Sequence, residues 1–315
     1  MSIAIHFPEQ PSVKYFEIVR DVIQASVTAV AGQQGITQEN AYIRVLHHLQ
    51  SNSLQWRTQT IPIVPYNDPL CRIAYLYSNV PVNANLVERV IQDSPSLSAH
   101  LDAIAFGRHS ERQGTNQCYA LWGGPGTELL SLSKYIEKRK FHGPTALNFL
   151  LVDRINEWAD TWRAARTQIQ TRLQKRGKPP LLISGDFIQV DVNSASDVRN
   201  FGNWGTVFTK DLYILCYLIS EIFDDIGNLE EFTRLVARQA PVGAKFLFVE
   251  RRESQWEDKI KDLAANSGMA LEEFRYSQGN MDADEQMSDL GEILDDVGRK
   301  PRVTWDALYC VGTKQ

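Results

Sequence analysis

The sequence predicts an α/β fold: a doubly wound, seven-stranded, mostly parallel sheet with an antiparallel last strand, preceded by a helical N-terminal region. Three observations predict it. From Cys118 onward, short continuous apolar runs alternate with amphipathic helical segments, the pattern of strands covered on both faces by crossover helices. Up to about residue 115, apolar residues recur instead at spacings of three and four. The last two apolar runs follow one another without a strong helix between them, which suggests a hairpin-like edge. The chain therefore divides into residues 1–115, a helical cap or substrate region, and residues 116–315, the α/β part.

The elements follow in order. In VKYFEIVRDVIQASVTAVAG, Phe16, Val19, Ile23 and Val27 form one stripe after Pro11 and Ser12, with Gly32 as the stop. ENAYIRVLHHLQ places Ala41, Val45 and Leu49 on one stripe, and PLCRIAYLYSNV and ANLVERVIQDS are the third and fourth helices. IPIVPYNDP and NVPVNAN read as connectors because proline removes a backbone donor. Seven strand candidates then follow: CYALW, LNFLLVD, PLLISGDF, DLYILCYL, AKFLFVE, LEEFRYS and TWDALYCVG. Helices TELLSLSKYIEKR, INEWADTWRAARTQIQTRL, NLEEFTRLVARQ and WEDKIKDLAANSG fall between them. The apolar stripe of the second contains Ile155, Trp158, Trp162, Ile169 and Leu173.

Composition excludes several function classes. Of 315 residues 43% are hydrophobic and 10% aromatic, enough for a substantial core. With 33 basic against 38 acidic residues the net charge is -5, which does not favour nucleic acid as a partner. No apolar run approaches membrane-spanning length. Four scattered cysteines form no CxxC pair, so no metal site is expected. The opening MSIAIHFPEQ lacks the pattern of a secretory leader, and a reduced, cytoplasmic location is expected.

The sharpest local signal is Trp122-Gly123-Gly124-Pro125-Gly126-Thr127-Glu128, which leaves a strand and opens a helix. Glycines there let the backbone turn tightly and a ligand approach the main chain. The next strand ends in Asp153, where a carboxylate can accept from both hydroxyls of a ribose. Asp153 serves equally as a cap for the helix starting near Asn156, and the glycine turn alone suits any β–α connection. The two in this order point to a nucleoside-bearing cofactor. The third glycine of a dinucleotide fingerprint is absent, and Glu128 sets a negative charge in the first helical turn, where a pyrophosphate is repelled. A cationic cofactor is not repelled.

At these residues the sequence resembles the class I, Rossmann-like S-adenosylmethionine-dependent methyltransferases, over about residues 116–315. ALWGGPGTELL resembles their first motif, so Trp122, Gly123, Gly124, Pro125, Gly126 and Glu128 would lie under the methionine part of the cofactor. FLLVDR, with Asp153 and Arg154, resembles the acidic motif that holds the ribose. SGDF, with Asp186 and Phe187, stands where such enzymes contact the adenine. DLYILCYLISE resembles the strand and loop facing the methyl. Tyr217 would wall the pocket or donate to the acceptor, and Glu221 would orient or deprotonate it. The family pattern has an acid where this chain has Ala120 and a glycine where it has Trp122. The GGPG form and the helical text upstream also resemble poorly characterised eukaryotic methyltransferase-like proteins. The implied acceptor is unidentified, with a small molecule or a protein side chain favoured. Two other readings stand beside this one: a catalytically silent methyltransferase-like binding or assembly subunit, and a nucleotide-sugar or dinucleotide enzyme.

Other groups carry blander expectations. His47 and His48 are neighbours on a helix, point about 100° apart and cannot share an ion. Trp158 and Trp162 have core spacing. Arg172, Lys175, Arg176 and Lys178 read as a solvated helix end, and Asp282 to Asp296 as a solvated loop and helix.

Overall fold

The computed structural model describes residues 13–58, 64–105, 120–121, 124–139, 145–175, 181–201, 210–222 and 226–315. The N-terminal part forms α1 (Tyr15–Gln34), α2 (Gln38–Thr58), α3 (Pro69–Ser78), α4 (Val80–Asp93) and α5 (Pro95–Ala105). The α1 helix runs through Gly32 and is closed at Gly35, whose φ of 63° is the left-handed geometry a C-cap needs. Asp68 caps α3 by accepting from the Leu70 amide at 2.8 Å, with Pro69 in the first turn. NVPVNAN is not the expected connector. Pro81 sits at the start of α4, where its missing N–H costs nothing, so the helix absorbs the segment. The α5 helix had no expectation.

The second part runs β1 (Ala120–Leu121), α6 (Thr127–Lys138), β2 (Thr145–Asp153), α7 (Trp158–Lys175), β3 (Leu181–Gln189), α8 (Ala195–Phe201), β4 (Leu212–Cys216) and α9 (Leu218–Glu221). It continues with α10 (Ile226–Gln239), β5 (Lys245–Arg251), α11 (Ser254–Asn266), β6 (Met269–Leu271), β7 (Arg275–Asn280), α12 (Glu292–Val297) and β8 (Thr304–Lys314). The strands form one sheet in the order β3-β2-β1-β4-β5-β8-β6, with β7 also paired to β8. The first five strands pair in parallel, while β8 is antiparallel to β5, with Phe248 opposite Cys310. The expected count of seven becomes eight. One edge position is split, with β6 pairing Gly312 to Lys314 and β7 pairing Thr304 to Tyr309.

Alternate residues of the central strands enter two cores. Leu147, Phe149 and Leu151 of β2 face the first, while Leu150 and Val152 face the second. The first core takes its helical partners from α1 to α7 and α12, and the second from α8 to α11. The N-terminal helices thus share one apolar core with the sheet. Among the described residues no helix is long and apolar enough to cross a membrane.

Buried charges fix this layer. The Lys134 side chain on α6 is 0% exposed and pairs with Glu285 at 2.6 Å and Asp284 at 2.7 Å. Glu285 also accepts from the Tyr15 amide at 2.8 Å and the Phe16 amide at 3.3 Å, the first turn of α1. Burial pushes its carboxyl up, against the opposing pull of Lys134 and these amides. Lys138 reaches Glu88 at 2.7 Å and Asp282 at 3.0 Å. Burial raises the Asp282 carboxyl, but Lys138, Arg89 and Lys134 outweigh it and hold the group below the usual carboxylate range. The loop part of the acidic stretch is therefore not solvated, its basic partners lying within the chain, whereas Glu292, Asp295 and Asp296 on α12 are exposed as expected. Arg172 likewise is no free helix end, because it pairs with Glu17 and, at 2.6 Å, with Asp21, tying α7 to α1.

Replacing Lys134 by Met should cost roughly 3–5 kcal/mol in urea unfolding, because Glu285 is left charged and buried. Adding Glu285→Gln to that variant should recover part of the loss, a non-additivity read directly from the two midpoints.

Candidate functional site

Chain order reverses between β1 and β4, which opens a crevice beyond the carboxyl ends of these strands. A narrow cleft of about 80 Å³, open to solvent at its mouth, occupies it. Gly124, Pro125, Thr127 and Glu128 line it from the turn after β1 and the first turn of α6. Asp153, Arg154 and Ile155 come from the end of β2, and Trp158 from α7. Asp191, Val192 and Asn193 follow β3, and Cys216, Leu218, Glu221 and Ile222 follow β4. Tyr66, Tyr75 and Asn83 reach in from the N-terminal part.

The turn after β1 needs its glycines. Gly124 has φ 41° and Gly126 φ 90°, and a Cβ on Gly126 would meet the Trp162 ring at 3.1 Å. Trp122 and Gly123 lie outside the described residues.

Glu128 is 1% exposed, and its Oε2 has no hydrogen-bond partner. Burial, with the Asp153 charge adding, pushes its carboxyl up to about 8. Asp153 accepts from the Ile155 amide through Oδ1 at 2.8 Å, which fixes the carboxylate at the strand end instead of capping α7. Burial raises it to about 6, with backbone donors and Arg154 opposing. Glu221 stands on the rim within reach of solvent, yet the crowding of protein around it dominates and pushes it up to about 7, Asp153 adding. Cys216 also lines the cleft, but burial first and the neighbouring carboxylates next push its thiol well up, so it is no thiolate nucleophile.

The loop after β4 has its own anchor. Glu250 at the end of β5 is 0% exposed and accepts from the Ile219 amide at 2.7 Å and the Ser220 amide at 3.4 Å. Burial pushes its carboxyl up to about 8. This grip seats α9 and leaves Tyr217 with φ 58°, the one non-glycine residue with positive φ among those described.

The structure brings Gly124, Pro125, Glu128, Asp153, Arg154 and Glu221 together. Gly126 shapes the turn without lining the cleft. Tyr217 lies in an adjoining cavity, and its buried hydroxyl has no hydrogen-bond partner. Asp186 and Phe187 are misplaced by the sequence reading. They sit in the middle of β3 opposite Leu150 and Leu151, because the strand continues to Gln189. Gly185 is a strand residue, as the run PLLISGDF predicts; a Cβ there would meet the Phe149 carbonyl oxygen at 1.8 Å. Asp191, Val192 and Asn193, after the end of β3, line the cleft instead. Trp158 lines the cleft as well as the core, with Tyr66 and Tyr75 each 5.9 Å from it, ring centroid to ring centroid.

No protein-family model and no curated protein matches the chain. Among solved structures it is similar to a SAM-dependent methyltransferase from Methanosarcina mazei, at 10% identity over 65% of this chain and 95% of that chain, with a TM-score of 0.38. An N-methyltransferase from Bradyrhizobium japonicum in complex with S-adenosyl-L-homocysteine shows 12% identity, coverage of 74% and 98%, and a TM-score of 0.35. An O-methyltransferase family protein from Burkholderia thailandensis shows 13% identity, coverage of 96% and 93%, and a TM-score of 0.39.

Glu128, Glu221, Glu250 and Asp153 keep protons in the folded chain at pH values where the unfolded carboxyls have lost them. Their raised values make stability greatest at or below about pH 4.5 and erode it as pH rises through about 6 to 8. The urea midpoint should therefore fall between pH 6 and pH 9, and Glu128→Gln should flatten the fall. A wild-type midpoint that climbs across this range contradicts the assignment.

Proposed function

We propose that the chain is an S-adenosylmethionine-dependent methyltransferase whose cofactor lies in the cleft beyond β1, β2 and β4. The observation that carries this is the convergence of Glu128, Asp153 and Glu221 on one space, none with an ion-pair partner among the described residues. Such a space is rich in acceptors, and a bound cation would draw its carboxyls toward their charged forms, which favours a cation bearing hydroxyls over a pyrophosphate. The strand order, with an antiparallel β8 inserted beside β5, supports the same reading.

The residues fit that ligand. The orphaned Glu128 oxygen is a buried acceptor awaiting a positive donor, and the Gly124 and Gly126 turn leaves the main chain approachable. Asp153, held by the Ile155 amide, would accept from the ribose hydroxyls. Asp191 to Asn193 would border the adenine in place of Asp186 and Phe187. Bound there, the cofactor supplies a methyl group already activated on a sulfonium, so the chain has mainly to align the acceptor and exclude water. Tyr66, Tyr75 and Asn83 close the cleft from the N-terminal side. Residues 1–115 would act as the cap and acceptor region, and residues 116–315 as the cofactor-binding part. Glu221, raised to about 7, would orient the acceptor and take its proton near neutral pH. Tyr217 would wall the acceptor side.

Asp153→Ala should weaken S-adenosylmethionine binding by about thirtyfold or more in calorimetry, the loss of hydrogen bonds to a carboxylate. Asp153→Asn, which retains an acceptor for the Ile155 amide, keeps the fold as a control. Binding of NAD but not S-adenosylmethionine would establish the dinucleotide reading, and binding of neither the silent one.

A further inference from the structure

A larger cavity, about 710 Å³, opens off the cleft, and Tyr66, Tyr75, Asn83 and Glu221 line both. Its outer wall reverses the charge of the chain. Arg251, Arg252, Arg299, Lys300 and Arg302 stand there against Glu221, Glu253 and Asp306, in a protein of net charge -5. Arg252 is paired with Asp306 at 3.5 Å. The Arg251 guanidinium lies 4.2 Å from the centroid of the Trp56 ring. Arg299 and Lys300 have no ion-pair partner among the described residues.

The junction has a different chemistry. Tyr66 and Tyr75 meet edge to face at 5.5 Å and form an aromatic wall between the two spaces. Asn83 is 4% exposed and its Oδ1 has no partner, an acceptor lining both cavities. A ligand that satisfies this set presents a flat ring with a polar edge at the junction and negative charge at the rim. Cations beside aromatic faces suit a base joined to phosphate.

Resting on the methyltransferase reading above, we propose that the acceptor is a nucleotide unit, its base between the Tyr66–Tyr75 wall and Asn83 and its phosphate on the Arg299–Lys300 rim. In the transfer, a lone pair on the acceptor bonds to the methyl carbon as the carbon–sulfur bond breaks with its electrons passing to sulfur. The acceptor's proton goes to the Glu221 carboxylate. The net charge of the chain misleads here, because a local field in a cleft outweighs a distant average.

The test measures binding of a labelled random-sequence single-stranded RNA dodecamer to the full chain by fluorescence anisotropy, beside calorimetry of S-adenosylmethionine. Arg299→Gln/Lys300→Gln should weaken RNA binding at least tenfold and lower the salt slope by about 1.4, for two lost phosphate contacts on a single strand. Cofactor affinity should stay within twofold, since neither side chain lines the cofactor cleft. Displacement of the RNA by 5′-mononucleotides supports a free nucleotide as sufficient, and failure of that displacement supports a polymeric source. Absence of RNA and mononucleotide binding overturns the proposal, as does unchanged RNA affinity in the variant or equal displacement by polyphosphate of the same charge. RNA binding without cofactor binding instead defeats the methyltransferase reading and leaves the rim intact.

Discussion

The ammonium of Lys134 is wholly removed from water, and the fold depends on how that cost is offset. A charge of this kind is tolerable only against partners of good geometry, and the chain supplies Glu285 and Asp284 from a segment far along the sequence. Glu285 then has oxygens left to receive the opening amides of α1. The α1 helix in turn holds α7 through Glu17 and Asp21. In this way α6 and α7, whose first turns carry Glu128 and Trp158, are braced by elements that contribute nothing to the cleft's own chemistry. Losing one partner would disturb the floor of the site from 150 residues away.

The cleft itself applies the same physics in the opposite sense. Where Lys134 is buried and matched, Glu128 is buried and unmatched. Burial holds the Glu128 carboxyl up at about 8, so a retained proton offsets its desolvation where Lys134 uses an ion pair. Glu250 shows the intermediate case, one oxygen occupied in seating α9 and the other without a partner. That contact places Tyr217 on the larger cavity and Glu221 where the two cavities meet.

Much of this was legible in the chain. The alternation of apolar runs with helices gave the parallel sheet and its antiparallel closing strand, because buried strands must be apolar on both faces. Glu128 and Asp153 stand out only together, because a glycine turn opening a helix and a carboxylate ending the next strand follow in the order a nucleoside site needs, while each alone suits an ordinary cap. The misreadings have equally definite causes. Asp186 and Phe187 fall short of the cleft because the strand runs on past Phe187, the end of the run PLLISGDF, to Gln189. Pro81 looked like a break because the pattern does not reveal which helical turn a proline will occupy. The loop part of the acidic stretch and Arg172 seemed solvated since pairing across 150 or more residues leaves no local mark. Asn83, Tyr66 and Tyr75 carried no signal at all; only the packing of the N-terminal helices brings them to the strand ends.

The separation between Tyr15 and Glu285 also has a consequence in time. These residues are 270 apart in sequence, so the opening turn of α1 emerges from the ribosome long before its partner exists. At ordinary synthesis speeds the gap is on the order of tens of seconds. For much of that interval the core that α1 to α5 share with the sheet is incomplete, since its strand residues run from Leu147 to Val311. The contact between Tyr15 and Glu285 therefore closes late, across a separation that spans most of the chain.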